Sequence, residues 1–113
     1  MSVNKYHARK TACRQQHEHD SKKEASWCND LTLLERSGAI THLEQQPQFW
    51  FDINGQTVKH PNGRRVGYQP DFSYRDVSGR QIALDVKGMR TEAYVLRAAI
   101  FRALFPYIEL KEV

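Results

Sequence analysis

The chain has 113 residues, 40% hydrophobic and 27% charged, with two cysteines and a formal net charge of +4. That is one domain with apolar mass for a single modest core, and too apolar for wholesale disorder. No run is long and apolar enough to span a membrane, Met1–Asp20 lacks a signal-peptide core, and two cysteines make no disulfide framework, so a reducing cytoplasm is the expected compartment.

The excess charge sits at one end. Residues 1–23 carry six basic and two acidic side chains, which accounts for the whole +4, and the remaining ninety balance. Residues 1–19 contain few large apolar side chains and read as a basic, flexible arm preceding a folded domain over 20–113. Such an arm suits a polyanion partner, since phosphate neutralisation drives nonspecific nucleic-acid binding; a solubilising tail has the same composition. Cys13, His17, His19 and Cys28 lack a standard zinc-finger spacing and read as polar arm residues and a buried helix cysteine.

Ser21-Lys22-Lys23-Glu24 has the pattern of a capping box, and the helical period through Trp27, Leu31 and Leu34 predicts a helix ending at Gly38. Ile40–Glu44 reads as extended. Phe49–Ile53 alternates as a strand with Phe49, Phe51 and Ile53 on one side, and Asn54-Gly55 is a two-residue hairpin signal leading into Gln56–Val58. Trp27 and the Phe49-Trp50-Phe51 run are expected in the core, with a base-stacking platform as the alternative. Lys59 to Arg65 is a loop holding Lys59, Arg64 and Arg65.

The most informative stretch comes next. Pro70–Arg75 and Gln81–Lys87 read as two strands joined by a three-residue loop, Val77–Gly79, with Gly79 in the left-handed position. This register sets Phe72 opposite Leu84 and Tyr74 opposite Ile82 on one face, and Asp71 opposite Asp85 on the other. Lys87 shares the aspartates' face, because side chains alternate with period two. Two carboxylates and a lysine gathered this way are the parts that hold a divalent cation and hydrolyse a phosphodiester, although a solvated hairpin face carries similar charges. Thr91 predicts the cap of a second helix from Glu92 to about Leu104, with Leu96, Ile100 and Leu104 as its apolar stripe and Pro106 as its stop. Tyr107–Lys111 is the last strand, and the helix between Val86 and Ile108 predicts a parallel crossover. The expected class is α/β, with a central mixed sheet flanked by helices.

Asp20-Ser21-Lys22-Lys23-Glu24-Ala25, Pro70-Asp71-Phe72 and Asp85-Val86-Lys87-Gly88 followed by Thr91-Glu92 fall in order on an α-β-β-β-α-β framework. In this they resemble the PD-(D/E)XK nuclease superfamily, and more narrowly small phage and prophage endodeoxyribonucleases related to archaeal Holliday-junction resolvases. The match spans residues 20–112. The resemblance implies a restriction-endonuclease-like αβββαβ core, a phage or prophage origin in a bacterial host, and Mg²⁺-dependent cleavage of DNA, with Mn²⁺ as a substitute metal. It implies Glu24, Asp71 and Asp85 around the metal, the carbonyl of Val86 as a further oxygen, and Lys87 orienting the attacking water or steadying charge on the phosphate. Glu24 is equally the N3 glutamate of its capping box. Lys59, Arg64, Arg65, Arg90 and Arg97 are the expected DNA contacts. A homodimer suits the cutting of two strands, and a DNA-binding or assembly module that kept such a fold without cutting is the alternative.

Overall fold

The computed structural model describes residues 11–12, 18–19, 22–86 and 90–113. Helix α1, Lys22–Ser37, stops just before Gly38, as its periodicity predicts. Its buried residues are Glu24, Ala25, Cys28 and Leu31; Leu34 stays 42% exposed, so the buried stripe ends a turn early. Ser21, the cap of the predicted capping box, lies outside the described residues, as do Cys13 and His17. In the N-terminal segment β1 (Thr11–Ala12) and β2 (Glu18–His19) pair antiparallel.

Four strands form the central sheet: β3 (Thr41–Gln45), β8 (Phe72–Arg75), β9 (Gln81–Asp85) and β10 (Ile108–Glu112), in the order β10-β9-β8-β3. The sheet is mixed. β9 runs antiparallel to β8 and parallel to β10, and helix α2 (Glu92–Leu104) supplies the crossover between the parallel pair. The β8–β9 register is the expected one, with Phe72 opposite Leu84 and Tyr74 opposite Ile82. Gly79 closes the turn at φ +85°, a conformation that costs glycine little. Asp76 locks the turn by accepting the main-chain N–H groups of Ser78 and Arg80 at 2.9 and 3.0 Å.

Alternation along β9 divides the core. Leu84 packs with Phe72 and with Ala25, Cys28 and Leu31 of α1, whereas Ala83 packs with Ala98 and Phe101 of α2. The helices therefore cover opposite faces of the sheet. Phe72 and Phe101 are fully buried, each contributing about 1.5–3 kcal/mol of apolar burial. Thr91 caps α2 as expected, accepting the Tyr94 N–H at 3.1 Å. The apolar stripe of α2 holds in part: Ile100 and Leu104 are half-buried against the core, but Leu96 is 60% exposed and the fully buried positions are Ala98 and Phe101, because the sheet meets the helix to one side of the predicted line.

Phe49–Ile53 is not one strand either. It splits at Phe51 into β4 (Phe49–Trp50), paired with β7 (Gly67–Tyr68), and β5 (Asp52–Ile53), paired with β6 (Gln56–Thr57) across the predicted Asn54-Gly55 turn. Phe51 is buried at the junction, donating to Val66 O and accepting from Val58 N. Each half twists toward a different partner, so Ile53 ends 44% exposed and Trp50 40% exposed rather than in the core.

Candidate functional site

The site grows out of the β8–β9 hairpin. Asp71 sits at the bend just before β8, and Asp85 ends β9 on the face that Ala83 also uses. Asp71 Oδ2 accepts the Val86 N–H at 2.7 Å. Its carboxyl is pushed up to about 6, mainly by burial and further by the neighbouring Glu24 charge, against the opposing hydrogen bonds from Asp85 and the Val86 amide. The Asp71 and Asp85 carboxyl groups thus lie within reach of each other at the end of the hairpin.

Glu24, only 6% exposed, reaches Asp71 from the first turn of α1. Three acidic residues, far apart in sequence, are thus gathered by α1 and the two hairpin strands. Among the described residues, no three His, Cys, Asp or Glu side chains stand in an arrangement that would hold a metal ion together. The donor chemistry of the Asp71–Asp85 pair is nevertheless that of a hard divalent cation: carboxylate oxygens, with the remaining positions left to water and phosphate. Val86 turns its N–H, not its carbonyl, to Asp71. Lys87 lies outside the described residues.

Asp85 is fully buried and accepts a hydrogen bond from the Tyr68 hydroxyl at Oδ2. Burial first, and the Asp85 carboxylate second, hold the Tyr68 hydroxyl far above the ordinary phenol range, so it stays a donor. Its ring lies 6.2 Å from that of Tyr94, whose hydroxyl donates to Glu112 at 2.6 Å. Glu112 is held below the usual carboxylate range by Tyr94 and by Arg102, which bonds it at 2.5 Å. Composition and periodicity gave no sign of either tyrosine. The one local signal is that Tyr68 stands on the short strand leading into Pro70-Asp71, at the same parity as Pro70.

Tyr68 also floors a cleft of about 480 Å³. Arg64, Arg65 and Arg97 line it, bringing three of the five expected DNA contacts together from a turn and from α2. Lys59 is not in the wall but pairs with Arg65 across the same turn. Arg90 is not in the wall either; it stands 3.7 Å from Glu112. Trp50 also lines the cleft, with the Arg65 guanidinium 4.5 Å from its ring centroid. The indole was expected in the core; the split of Phe49–Ile53 delivers it to the cleft instead.

A helix-flanked mixed sheet with an acidic pair, Asp85 buried and Asp71 half-buried, beside an arginine-walled cleft is the class of molecule these observations define. Residues 3–113 match the model of a family described as a protein of unknown function, DUF1064, and the chain belongs to that family. No curated protein and no solved structure matches it. Among the described residues, no helix is long and apolar enough to cross a membrane.

Proposed function

We propose that this protein is a Mg²⁺-dependent endodeoxyribonuclease with a restriction-endonuclease-like core, acting in the cytoplasm of a bacterial host on branched replication or recombination intermediates. One observation carries the reading: the approach of half-buried Asp71 to buried Asp85, with Glu24 beside it, next to a cleft walled by Arg64, Arg65 and Arg97. The order of elements on which these residues fall supports it, being that of the PD-(D/E)XK resemblance.

Asp71 and Asp85 are the residues that would hold Mg²⁺, leaving other positions to water and phosphate, and the resemblance adds Glu24 and the Val86 carbonyl as further oxygen donors. When bound, the ion polarises the scissile phosphate and lowers the pKa of a coordinated water. Asp71 must be ionised first, which its raised carboxyl delays until pH passes about 6. Tyr68 keeps the Asp85 carboxylate oriented by donating to one of its oxygens, an arrangement common behind metal-binding groups. Lys87 orients the attacking water or steadies the charge that builds on the phosphate. Arg64 and Arg97 position the backbone by phosphate contacts. A homodimer would present two such sites to two strands.

The test is cleavage of closed circular, linear, flapped and four-way-junction DNA with Mg²⁺ or Mn²⁺. The reading expects cutting by the wild type and none by Asp71→Asn, which still binds DNA in EDTA. A wild type that binds these substrates but cuts none of them would make the protein a DNA-binding or assembly module.

A further inference from the structure

We infer that the cleft is built for an unpaired nucleotide of DNA, with its base stacked on Trp50 and its phosphate held by Arg64 and Arg97. The inference rests on DNA as the partner in the reading above, and adds which part of a DNA molecule the protein grips. At about 480 Å³ the cleft matches the volume of sites that enclose a small ligand, and is far too small for a duplex. Trp50 is 40% exposed although its neighbour Phe51 is 1% exposed.

Two features keep the indole available. Its cross-strand partner is Gly67, which has no side chain to cover it; a Cβ there would lie 3.0 Å from Trp50 Cε3 and 2.4 Å from Phe49 O. The group over the ring is the exposed guanidinium of Arg65, 4.5 Å from the centroid. An indole stacks on any flat π-face, so a base can take the place of the exposed Arg65 side chain over the ring. A paired base offers only its edge, whereas an unpaired one offers a face.

The rest of the wall suits a nucleotide. Gln48 and Gln69 each spend an amide N–H on a main-chain carbonyl and retain further donors and acceptors for a base edge. Thr91 places the start of α2 in the wall, where main-chain N–H groups and the helix dipole favour a phosphate alongside the two arginines. Tyr68 joins the cleft to Asp85, so a gripped nucleotide lies next to the acidic pair. The grip therefore selects overhangs, flaps and junction strands over blunt duplex.

The experiment measures binding in EDTA, apart from any cutting, with a short oligothymidylate, a blunt duplex and the RNA counterpart of the oligonucleotide at one fixed salt concentration. In a Trp27→Phe protein, whose remaining indole is Trp50, the oligothymidylate quenches the fluorescence and the blunt duplex does not. Trp50→Ala weakens single-strand binding on the order of tenfold or more, as loss of one stacked base does, while Trp50→Phe retains most of it. Blunt duplex bound as tightly as the single strand, no quenching, or unchanged binding by Trp50→Ala would overturn the assignment. Tighter binding to RNA than to DNA would overturn the choice of DNA. A protein that cuts DNA without quenching loses this cleft and keeps the nuclease, and one that quenches without cutting does the reverse.

Discussion

The Tyr68 hydroxyl donates to Asp85 Oδ2 across a gap of seventeen residues, tying the floor of the arginine-walled cleft to the end of β9. Tyr68→Phe removes the donor and leaves a buried carboxylate oxygen to find another, or to bind a proton. The expected cost is about 1–3 kcal/mol in urea unfolding at neutral pH. Cleavage should fall about tenfold or more, as for groups that orient metal-binding residues. A variant as stable and active as the wild type would remove Tyr68 from the site.

Asp71 makes stability depend on pH in a defined direction. Its carboxyl is raised to about 6 in the folded chain, above the range it has when unfolded. The folded state therefore binds the proton more tightly, and that stabilisation is complete below the unfolded value and lost as pH rises through about 6. In EDTA the wild type should lose about 1–2 kcal/mol from this group between acid and about pH 8, less than full burial would give because Asp71 is only partly buried. Asp71→Asn should flatten that slope and unfold at higher denaturant concentration at the alkaline end. Denaturant titrations across the pH range measure both.

Glu24 contributes to the raised Asp71 carboxyl through its charge. Glu24→Gln removes that charge, so the Asp71 titration, followed by carboxyl NMR, should move down toward the ordinary range. An unchanged midpoint would mean that Glu24 serves only the start of α1.

Much of this was legible in the chain. Asp76, Gly79 and the apolar pairs Phe72–Leu84 and Tyr74–Ile82 specify one register, and the ladder keeps it as far as Phe72–Leu84, with Asp71 at the bend one residue beyond rather than in the strand expected from Pro70. Thr91 and Pro106 bracket α2 for equally local reasons. Choices set by tertiary packing were not legible. The buried face of α2 depends on where the sheet meets it, which put Phe101 inside and Leu96 outside. The split at Phe51 depends on pairing with β7, seventeen or more residues away, and only that pairing turns Trp50 outward. Tyr68 gave no periodic signal, because its strand is two residues long.

Gly67 holds that wall by close approach. An alanine there would set its Cβ 2.4 Å from Phe49 O and 2.7 Å from the Gln48 amide, so the β4–β7 pair has to part. Gly67→Ala should destabilise the fold by about 1–3 kcal/mol, read as a lower melting temperature. Wild-type stability would mean that β4 moves freely against β7.

The central claim is that Asp71 and Asp85 share one divalent cation, and calorimetric titration of Mn²⁺ into the metal-free protein at about pH 8 tests it most directly. One site per chain is expected, lost or weakened by tenfold or more in Asp71→Asn and in Asp85→Asn alike, and weakened as pH falls through about 6 while Asp71 takes up a proton. Mn²⁺ binding that is absent from the wild type, or unchanged in both variants, would contradict it.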